Sequence, residues 1–192
     1  MLAVAEEGAV DEELTGSGYR LAMSTLRAEE RPIVVMGVSG TGKSTVGSAL
    51  AQALGLRFVE GDDLHPESNV DKMAHGIPLT DDDRAPWLDR IAEELHRPVV
   101  VTCSALRRVY RDRLRRAAPD LALVYLHGPR ELLAERMGAR PGHFMPTTLL
   151  DSQLATLEAP TPDENAIAMD VVLTPAEIVE RVAARLAIRP RG

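Results

Sequence analysis

From residue 31 onward, short runs of apolar residues alternate with longer segments in which apolar side chains recur every three or four positions. Short apolar runs are typical of buried strands, and the longer spacing is typical of helices with one buried face. The pattern predicts strands at 33–36, 58–59, 99–102, 121–126 and 166–172, and helices at 44–54, 66–75, 86–96, 107–117, 130–137, 147–157 and 175–187. Strands this apolar need cover on both faces, so we expect an α/β fold, a three-layer sandwich around a parallel sheet of about five strands.

Residues 1–30 lack this pattern. They hold seven acidic and two basic residues, few large apolar ones, and a loose Thr-Gly-Ser-Gly stretch at 15–18. A segment with so little apolar surface to bury does not form a packed core. We therefore expect a mobile or weakly helical extension at 1–30 and a single globular domain at 31–192.

The chain of 192 residues carries a formal charge of -7 and one cysteine. Nucleic-acid coats and polybasic membrane-surface proteins need net positive charge, so this balance argues against both. The extension at 1–30 carries -5 of the charge and leaves -2 on residues 31–192. One cysteine excludes an intrachain disulfide, no apolar run approaches the roughly 20 residues that span a bilayer, and no secretory signal is present. These features predict a soluble cytoplasmic protein.

The sequence Gly-Val-Ser-Gly-Thr-Gly-Lys-Ser at 37–44 follows the first predicted strand and leads directly into the first predicted helix. This is the full Walker A spacing in its strand-to-helix context, and it predicts a nucleotide-binding P-loop. Its glycines let backbone N–H groups turn toward phosphate oxygens, Lys43 is expected to supply a positive charge to the β- and γ-phosphates, and the Ser44 hydroxyl can ligate Mg²⁺. The predicted nucleotide-binding residues of the loop are Gly37, Ser39, Gly40, Thr41, Gly42, Lys43, Ser44 and Thr45.

The acid that P-loop enzymes often carry at the end of a neighbouring strand is missing after 99–102, where Cys103 and Ser104 follow instead. Asp62, just after the second predicted strand, is the nearest candidate. It would receive the proton of the phosphate acceptor or hold a Mg²⁺-bound water, and both roles fit phosphoryl transfer. The alternative role for Asp62 is the N-cap of the helix that follows Pro66. No guanine-reading Asn-Lys-x-Asp motif is present, which favours a small-molecule kinase over a GTPase.

Four sequence blocks together are far more specific than the P-loop alone. They are GVSGTGKST at 37–45, GDDLHPESNVDKMAHGIPLTDDDRAPWL at 61–88, TCSALRRVYRDRLR at 102–115 and GARPGHFMPTTLLDSQLATLE at 138–158. In content and order they resemble the gluconokinase family of small P-loop kinases, of the thermoresistant type. The resemblance implies a nucleoside-monophosphate-kinase-like fold with a small lid near 138–147, and a homodimer. It also implies transfer of a phosphoryl group from ATP to the 6-hydroxyl of D-gluconate, with Mg²⁺.

Four residues are candidates for the acceptor site. Gluconate carries a carboxylate, and a planar guanidinium can hold a carboxylate with two hydrogen bonds, so Arg84 and Arg107 are the predicted carboxylate ligands. His65 either bonds a substrate hydroxyl or anchors the turn before Pro66. Ser104 follows the third predicted strand, where it would face phosphate, metal-bound water or substrate.

Two further arginines flank Gly138, ahead of the predicted lid. Lid arginines in small kinases cover the adenine and neutralise the transferring phosphoryl group. We therefore assign Arg136 to the nucleotide and Arg140 to the γ-phosphate, the alternative being two ordinary arginines on a helix surface.

The predicted catalytic residues are Lys43, Asp62 and Arg140, with Ser44 and Asp62 as the candidates for holding Mg²⁺. The motifs alone also leave open a P-loop kinase of another small acceptor, such as shikimate or a nucleoside monophosphate. A nucleotide-binding regulatory module without turnover is the alternative outside enzymes. Asp62 and Arg140 argue against that module, because a protein that only binds nucleotide needs neither.

Overall fold

The computed structural model describes residues 31–75, 77–139 and 147–188. The predicted extension at 1–30, the candidate Arg140 and most of the predicted lid lie outside these ranges. The strands are β1 Ile33–Met36, β2 Arg57–Val59, β3 Val99–Cys103, β4 Ala122–His127 and β5 Ile167–Asp170. The helices are α1 Lys43–Leu54, α2 Glu67–Ala74, α3 Asp81–Glu94, α4 Arg108–Ala117, α5 Arg130–Gly138, α6 Thr147–Thr156 and α7 Pro175–Ile188, with 3₁₀ helices at Gly61–Leu64 and Pro162–Glu164.

The strands of the described chain form one parallel sheet in the order β2-β3-β1-β4-β5. Met36 at the end of β1 aligns with Cys103 at the end of β3. The loops that follow β1 and β3 therefore leave the same edge of the sheet side by side. Ligands of open α/β sheets bind at this edge, so the P-loop and the turn after β3 are placed to share one site.

Helices cover both faces of this sheet. In β1, Ile33 and Val35 belong to the core beneath α1 and α7, whereas Val34 and Met36 belong to the core beneath α3 and α4. All four side chains are fully buried. A strand covered on both faces has no polar side, which is why its sequence is a continuous apolar run. The predicted three-layer α/β sandwich is confirmed.

Helix α3 begins at Asp81, so the prediction that it starts near Pro86 was wrong. Thr80 is the N-cap: its hydroxyl accepts the Asp83 N–H at 3.2 Å, and the Asp83 carboxylate accepts the Thr80 N–H at 2.9 Å. This reciprocal capping box satisfies two backbone donors, and the acids at 81–83 are favoured by the positive end of the helix dipole. The three aspartates therefore form the first turn, and Pro86 lies within the helix.

Candidate active site

The P-loop joins β1 to α1 through two glycines in the left-handed region. Gly40 and Gly42 both have φ of 82°, which side chains other than glycine rarely adopt. A Cβ on Gly40 would lie 2.7 Å from the Leu133 carbonyl oxygen, so the loop is pressed against α5. A Cβ on Gly42, in contrast, would meet no heavy atom within 4 Å. The loop is therefore closed on its α5 side and open at the N-terminus of α1, where a phosphate would bind.

The polar side chains of the loop divide between building it and facing its open side. Thr41 is buried, and its hydroxyl donates to the Val38 carbonyl at 2.8 Å. Lys43 Nζ also donates to the Val38 carbonyl, at 3.1 Å, so the lysine folds back along the loop. Ser44 is half-buried in the first turn of α1, and Thr45 beside it is exposed. The predicted phosphate residues are thus brought together, with Thr41 supporting the loop through its side chain.

A cavity of about 230 Å³ adjoins the P-loop at Gly40, Gly42 and Thr45. Its other walls come from Arg136 of α5 and from the segment after β5, including Leu173 and Pro175. The Arg136 guanidinium donates to the Val171 carbonyl at 2.9 Å, which ties α5 to that segment. An apolar slot beside a phosphate loop suits a nucleotide base. Arg136 was predicted to bind the nucleotide, whereas the wall after β5 was not predicted.

Asp62 lies in a 3₁₀ turn that is held tightly against the end of β3. The Gly61 N–H donates to the Thr102 hydroxyl at 2.9 Å, and the Trp87 indole N–H donates to the Gly61 carbonyl at 2.7 Å. A Cβ on Gly61 would lie 1.8 Å from the Thr102 carbonyl oxygen, so any other residue here would force the turn away from β3. Asp62 is exposed at this edge. The alternative role as an N-cap of α2 was wrong, because Pro66 occupies that position.

Cys103, the last residue of β3, lies within electrostatic range of both Asp62 and Lys43. Burial raises the pKa of the Cys103 thiol to about 12, and the charges of both Asp62 and Lys43 act on it, the first raising and the second lowering its pKa. A thiol held protonated is an inert, small apolar residue and not a nucleophile. The acid and the P-loop lysine are therefore near neighbours of the same buried residue.

His65 lies within electrostatic range of Asp62 and of Arg84, one of the candidate arginines. Its ring stacks on Trp87, with centroids 4.2 Å apart and planes 10° apart. Burial lowers the pKa of His65, as does the charge of Arg84, and the charge of Asp62 opposes them. A lowered pKa leaves the imidazole neutral at pH 7, so it has one donor and one acceptor for hydrogen bonds.

Arg84 and Arg107 meet over the ring of Tyr110. Their guanidinium carbons lie 5.8 and 5.7 Å from its centroid. Asp81 joins the same cluster: it accepts the Tyr110 hydroxyl at 2.5 Å and a hydrogen bond from Arg107, and it lies 3.6 Å from Arg84. Ser104 is half-buried in the turn before Arg107. The structure thus brings the two predicted carboxylate ligands together, with Asp81 already between them.

Two polar residues at the site escaped sequence analysis. Glu60 accepts a hydrogen bond from the Thr102 hydroxyl beside Gly61. Gln153 of α6 accepts the backbone N–H of Ser39 in the P-loop at 2.6 Å. Glu60 had a usable signal, since it directly follows β2 and precedes Asp62 by two residues, but Gln153 is 114 residues from Ser39 and had none.

The described residues contain no group of three or more histidine, cysteine, aspartate or glutamate side chains that could hold a metal ion. A P-loop serine with one nearby acid fits the way Mg²⁺ binds with a nucleotide, through one or two protein groups, phosphates and water. In the same ranges, no helix has the length and apolar character needed to cross a bilayer.

Comparisons with known proteins agree with this geometry. A family model described as an AAA domain matches residues 33–160. The gluconokinase of Gluconobacter oxydans (strain 621H) is 49% identical over 158 residues, which are 79% of this chain and 89% of that protein. The thermoresistant gluconokinase of Escherichia coli (strain K12) is 40% identical over 176 residues, 88% of this chain and 99% of that protein. The chain belongs to the gluconokinase family.

The crystal structure of a gluconokinase from Sinorhizobium meliloti 1021 has the same fold, with a TM-score of 0.78 and 56% sequence identity over 84% of this chain and 95% of that chain. The predicted resemblance to the gluconokinase family and the predicted P-loop kinase fold are therefore confirmed. The roles assigned to individual residues stay predictions.

Proposed function

We propose that this protein transfers the γ-phosphoryl group of ATP to the 6-hydroxyl of D-gluconate, giving 6-phospho-D-gluconate and ADP. One observation carries the proposal: in a gluconokinase-family chain, the P-loop after β1 and the Asp62 turn after β2 converge at one edge of the sheet. The charges of Lys43 and Asp62 both act on the thiol of Cys103 at the end of β3. A γ-phosphate in the P-loop would therefore lie next to the acid that serves the acceptor.

The nucleotide half of the proposal rests on the P-loop and the adjoining cavity. Backbone N–H groups from Gly40 onward and the Lys43 ammonium would hold the phosphates, and the cavity beside Arg136 would hold the adenine. Mg²⁺ bound with ATP would neutralise phosphate charge, with Ser44 as its direct ligand and Asp62 reaching it through water. Arg140, which lies outside the described residues, is proposed to neutralise the transferring group.

In the acceptor half, the 6-hydroxyl oxygen attacks the γ-phosphorus while the bond to the bridging oxygen of ADP breaks. The hydroxyl proton passes to Asp62, which is exposed at the sheet edge and can therefore reach a bound acceptor. His65, neutral at pH 7, and Ser104 would bond other hydroxyls of the sugar acid. Arg84 and Arg107 would bind its carboxylate from above Tyr110.

A cytoplasmic location and a homodimer are part of the same proposal, as is the absence of nucleic-acid and membrane partners. The location is supported by the lack of a membrane-spanning helix among the described residues. The homodimer is supported by the family resemblance, and light scattering at several protein concentrations tests it.

The function is tested by measuring ADP release from Mg-ATP with gluconate, shikimate, glucose and nucleoside monophosphates as acceptors. We expect gluconate alone to stimulate release, with ³¹P NMR showing a phosphate ester on carbon 6. Stimulation by another acceptor and not by gluconate would replace this function with a different kinase. No stimulation by any acceptor would leave a nucleotide-binding regulatory module.

Two variants test the assigned chemistry. Asp62→Asn should lower kcat by about 100-fold or more, because it removes the proton acceptor and the charge near the metal. The matched control is Asp63→Asn, the exposed neighbour in the same 3₁₀ turn, which should leave kcat unchanged. Lys43→Ala should abolish turnover, and full activity in that variant would refute the P-loop assignment.

A further inference from the structure

The turn between β3 and α4 is held in an unusual conformation. Ala105 is fully buried and has φ of 43°, in the left-handed region that residues with a Cβ rarely occupy. Such strain persists only where the surrounding structure enforces it, and it is concentrated at functional sites. The same turn carries Ser104 and Arg107, two of the proposed substrate ligands. Whatever enforces the conformation of Ala105 therefore also sets the place of those two side chains.

A buried arginine, Arg111, holds the turn that contains Ala105. The Arg111 side chain is 1% exposed, and its Nη1 donates to the carbonyls of Ala105 at 3.1 Å and Leu106 at 3.3 Å. Both carbonyls belong to the strained turn; the Leu106 carbonyl also accepts the Glu158 N–H at 2.8 Å, whereas the donor to the Ala105 carbonyl is the Arg111 side chain. Arg111 thus supplies a donor to the carbonyl of the strained residue itself and a second donor to the Leu106 carbonyl.

Arg111 is fixed in turn by Glu164. Its Nε and Nη2 donate to the two carboxylate oxygens at 2.6 and 2.7 Å, and the Glu164 side chain is also 1% exposed. Glu164 ends a 3₁₀ helix and completes a capping box with Thr161. One planar guanidinium thus connects the turn to the segment before β5. Lysine has a single nitrogen and cannot make both sets of contacts.

A second contact joins this same segment to the turn. The Glu158 N–H donates to the Leu106 carbonyl at 2.8 Å, and the Glu158 carboxylate accepts the Arg108 N–H at 2.6 Å. The same carboxylate lies 3.6 Å from Arg107 Nε. The turn is therefore fixed from two sides by residues 158–164, and Arg111 provides its buried contact.

We propose that Arg111 is a positioning residue for the phosphoryl acceptor: it holds the β3–α4 turn in the conformation that presents Ser104 and Arg107 to the sugar acid. The proposal rests on the proposed function, since it takes these two residues as substrate ligands. Stability alone does not call for this arrangement, because a buried ion pair can often be replaced by apolar residues of similar size without loss. The buried pair is instead explained by the need to hold the carbonyls of Ala105 and Leu106 in place at the edge of the acceptor site.

The test separates positioning from folding. Removing only one charge leaves the other buried and unpaired, so the decisive variant is the double substitution Arg111→Met/Glu164→Met, which removes both charges and keeps their volume. Arg111→Lys is the conservative partner variant. The matched control is Arg113→Met on the same helix, whose guanidinium forms an exposed ion pair with Asp89 at 2.6 Å.

In the folded double variant, we expect the KM for gluconate to rise about tenfold or more while the KM for ATP stays within about twofold of the wild type. Arg111→Lys should raise the KM for gluconate as well, because it keeps the charge but not the set of contacts. Arg113→Met should change neither KM. An unaltered KM for gluconate in a folded double variant would overturn the proposal, as would an equal rise in both KM values.

Hydrogen exchange distinguishes failure of this proposal from failure of the proposed function. The double variant should show faster amide exchange at residues 105–108 than the wild type, with the P-loop amides unchanged. If the wild type does not phosphorylate gluconate but exchange accelerates in this way, the turn-holding role stands and the substrate assignment fails. Unchanged exchange at 105–108 would overturn the positioning role whatever the substrate.

Discussion

Neutralising Glu164 should remove a large, pH-dependent part of the folding free energy. Burial opposes the charge of this carboxylate most strongly, yet hydrogen bonds from Arg111, Arg115 and the Thr161 N–H outweigh burial and lower its pKa to about 2 from the usual 4.5. A carboxyl group with a lowered pKa in the folded state stabilises the protein above its unfolded pKa. That stabilisation is lost as the pH falls toward the folded pKa.

The size of the effect follows from the two pKa values of Glu164. The difference between 4.5 and about 2 corresponds to about 3 kcal/mol of stability at neutral pH, at about 1.4 kcal/mol per pH unit. By proton linkage, about 2 kcal/mol of this stabilisation is lost as the pH falls from 6 to 3. Glu164→Gln should also cost about 3–5 kcal/mol at pH 7, because the Arg111 charge is left buried and unpaired.

Urea unfolding at pH 6 and pH 3 measures the pH-dependent stabilisation by Glu164 directly. From pH 6 to pH 3, the free energy of unfolding should fall for both proteins. The fall should be about 2 kcal/mol larger in the wild type than in Glu164→Gln. The control is Asp163→Asn: the pKa of Asp163 is also lowered to about 2, by Arg108 first and then Thr161, but its side chain is 58% exposed. Its effect should be small and should disappear in high salt. Equal pH dependence in Glu164→Gln and the wild type would refute this reasoning.

Three further predictions concern the active site. Gly61→Ala should lower kcat about 100-fold with the fold retained, because a Cβ 1.8 Å from the Thr102 carbonyl oxygen must displace the Asp62 turn; wild-type kcat would contradict this. Leu173→Trp should raise the KM for ATP by filling the cavity of about 230 Å³ beside the P-loop, with the KM for gluconate unaltered. Cys103, whose pKa is raised to about 12 by burial, should react with a thiol reagent only in denaturant, and rapid labelling of the native protein at pH 8 would show that it is accessible.

The sheet and the P-loop were predictable because their signals are local. The apolar run of β1, the glycines of the P-loop and the start of α1 lie within about twenty residues, and each has a physical cause that acts along the chain. The start of α3 was missed although its signal is also local. The amphipathic pattern from which the helix was predicted begins at Pro86, whereas the capping box formed by Thr80 and Asp83 sets the start.

The acceptor side was predicted only in part, because its residues come from separate segments. Sequence blocks named Arg84 and Arg107, yet nothing in them indicates that both lie over the Tyr110 ring with Asp81 between them. That arrangement depends on the packing of α3 against α4. A carboxylate bound by these two arginines, as we propose, would share or displace the hydrogen bonds that Asp81 now makes.

Arg111 was hidden by its neighbours in the sequence. Six arginines lie between 107 and 116, and a helix this basic is normally a solvated surface. Its partner Glu164 is 53 residues away, so no local pattern distinguishes the buried arginine from the exposed ones. Only the folded chain brings the two charges together beneath a strained turn. The residue that best explains the shape of the acceptor edge is thus the one whose sequence context makes it look most ordinary.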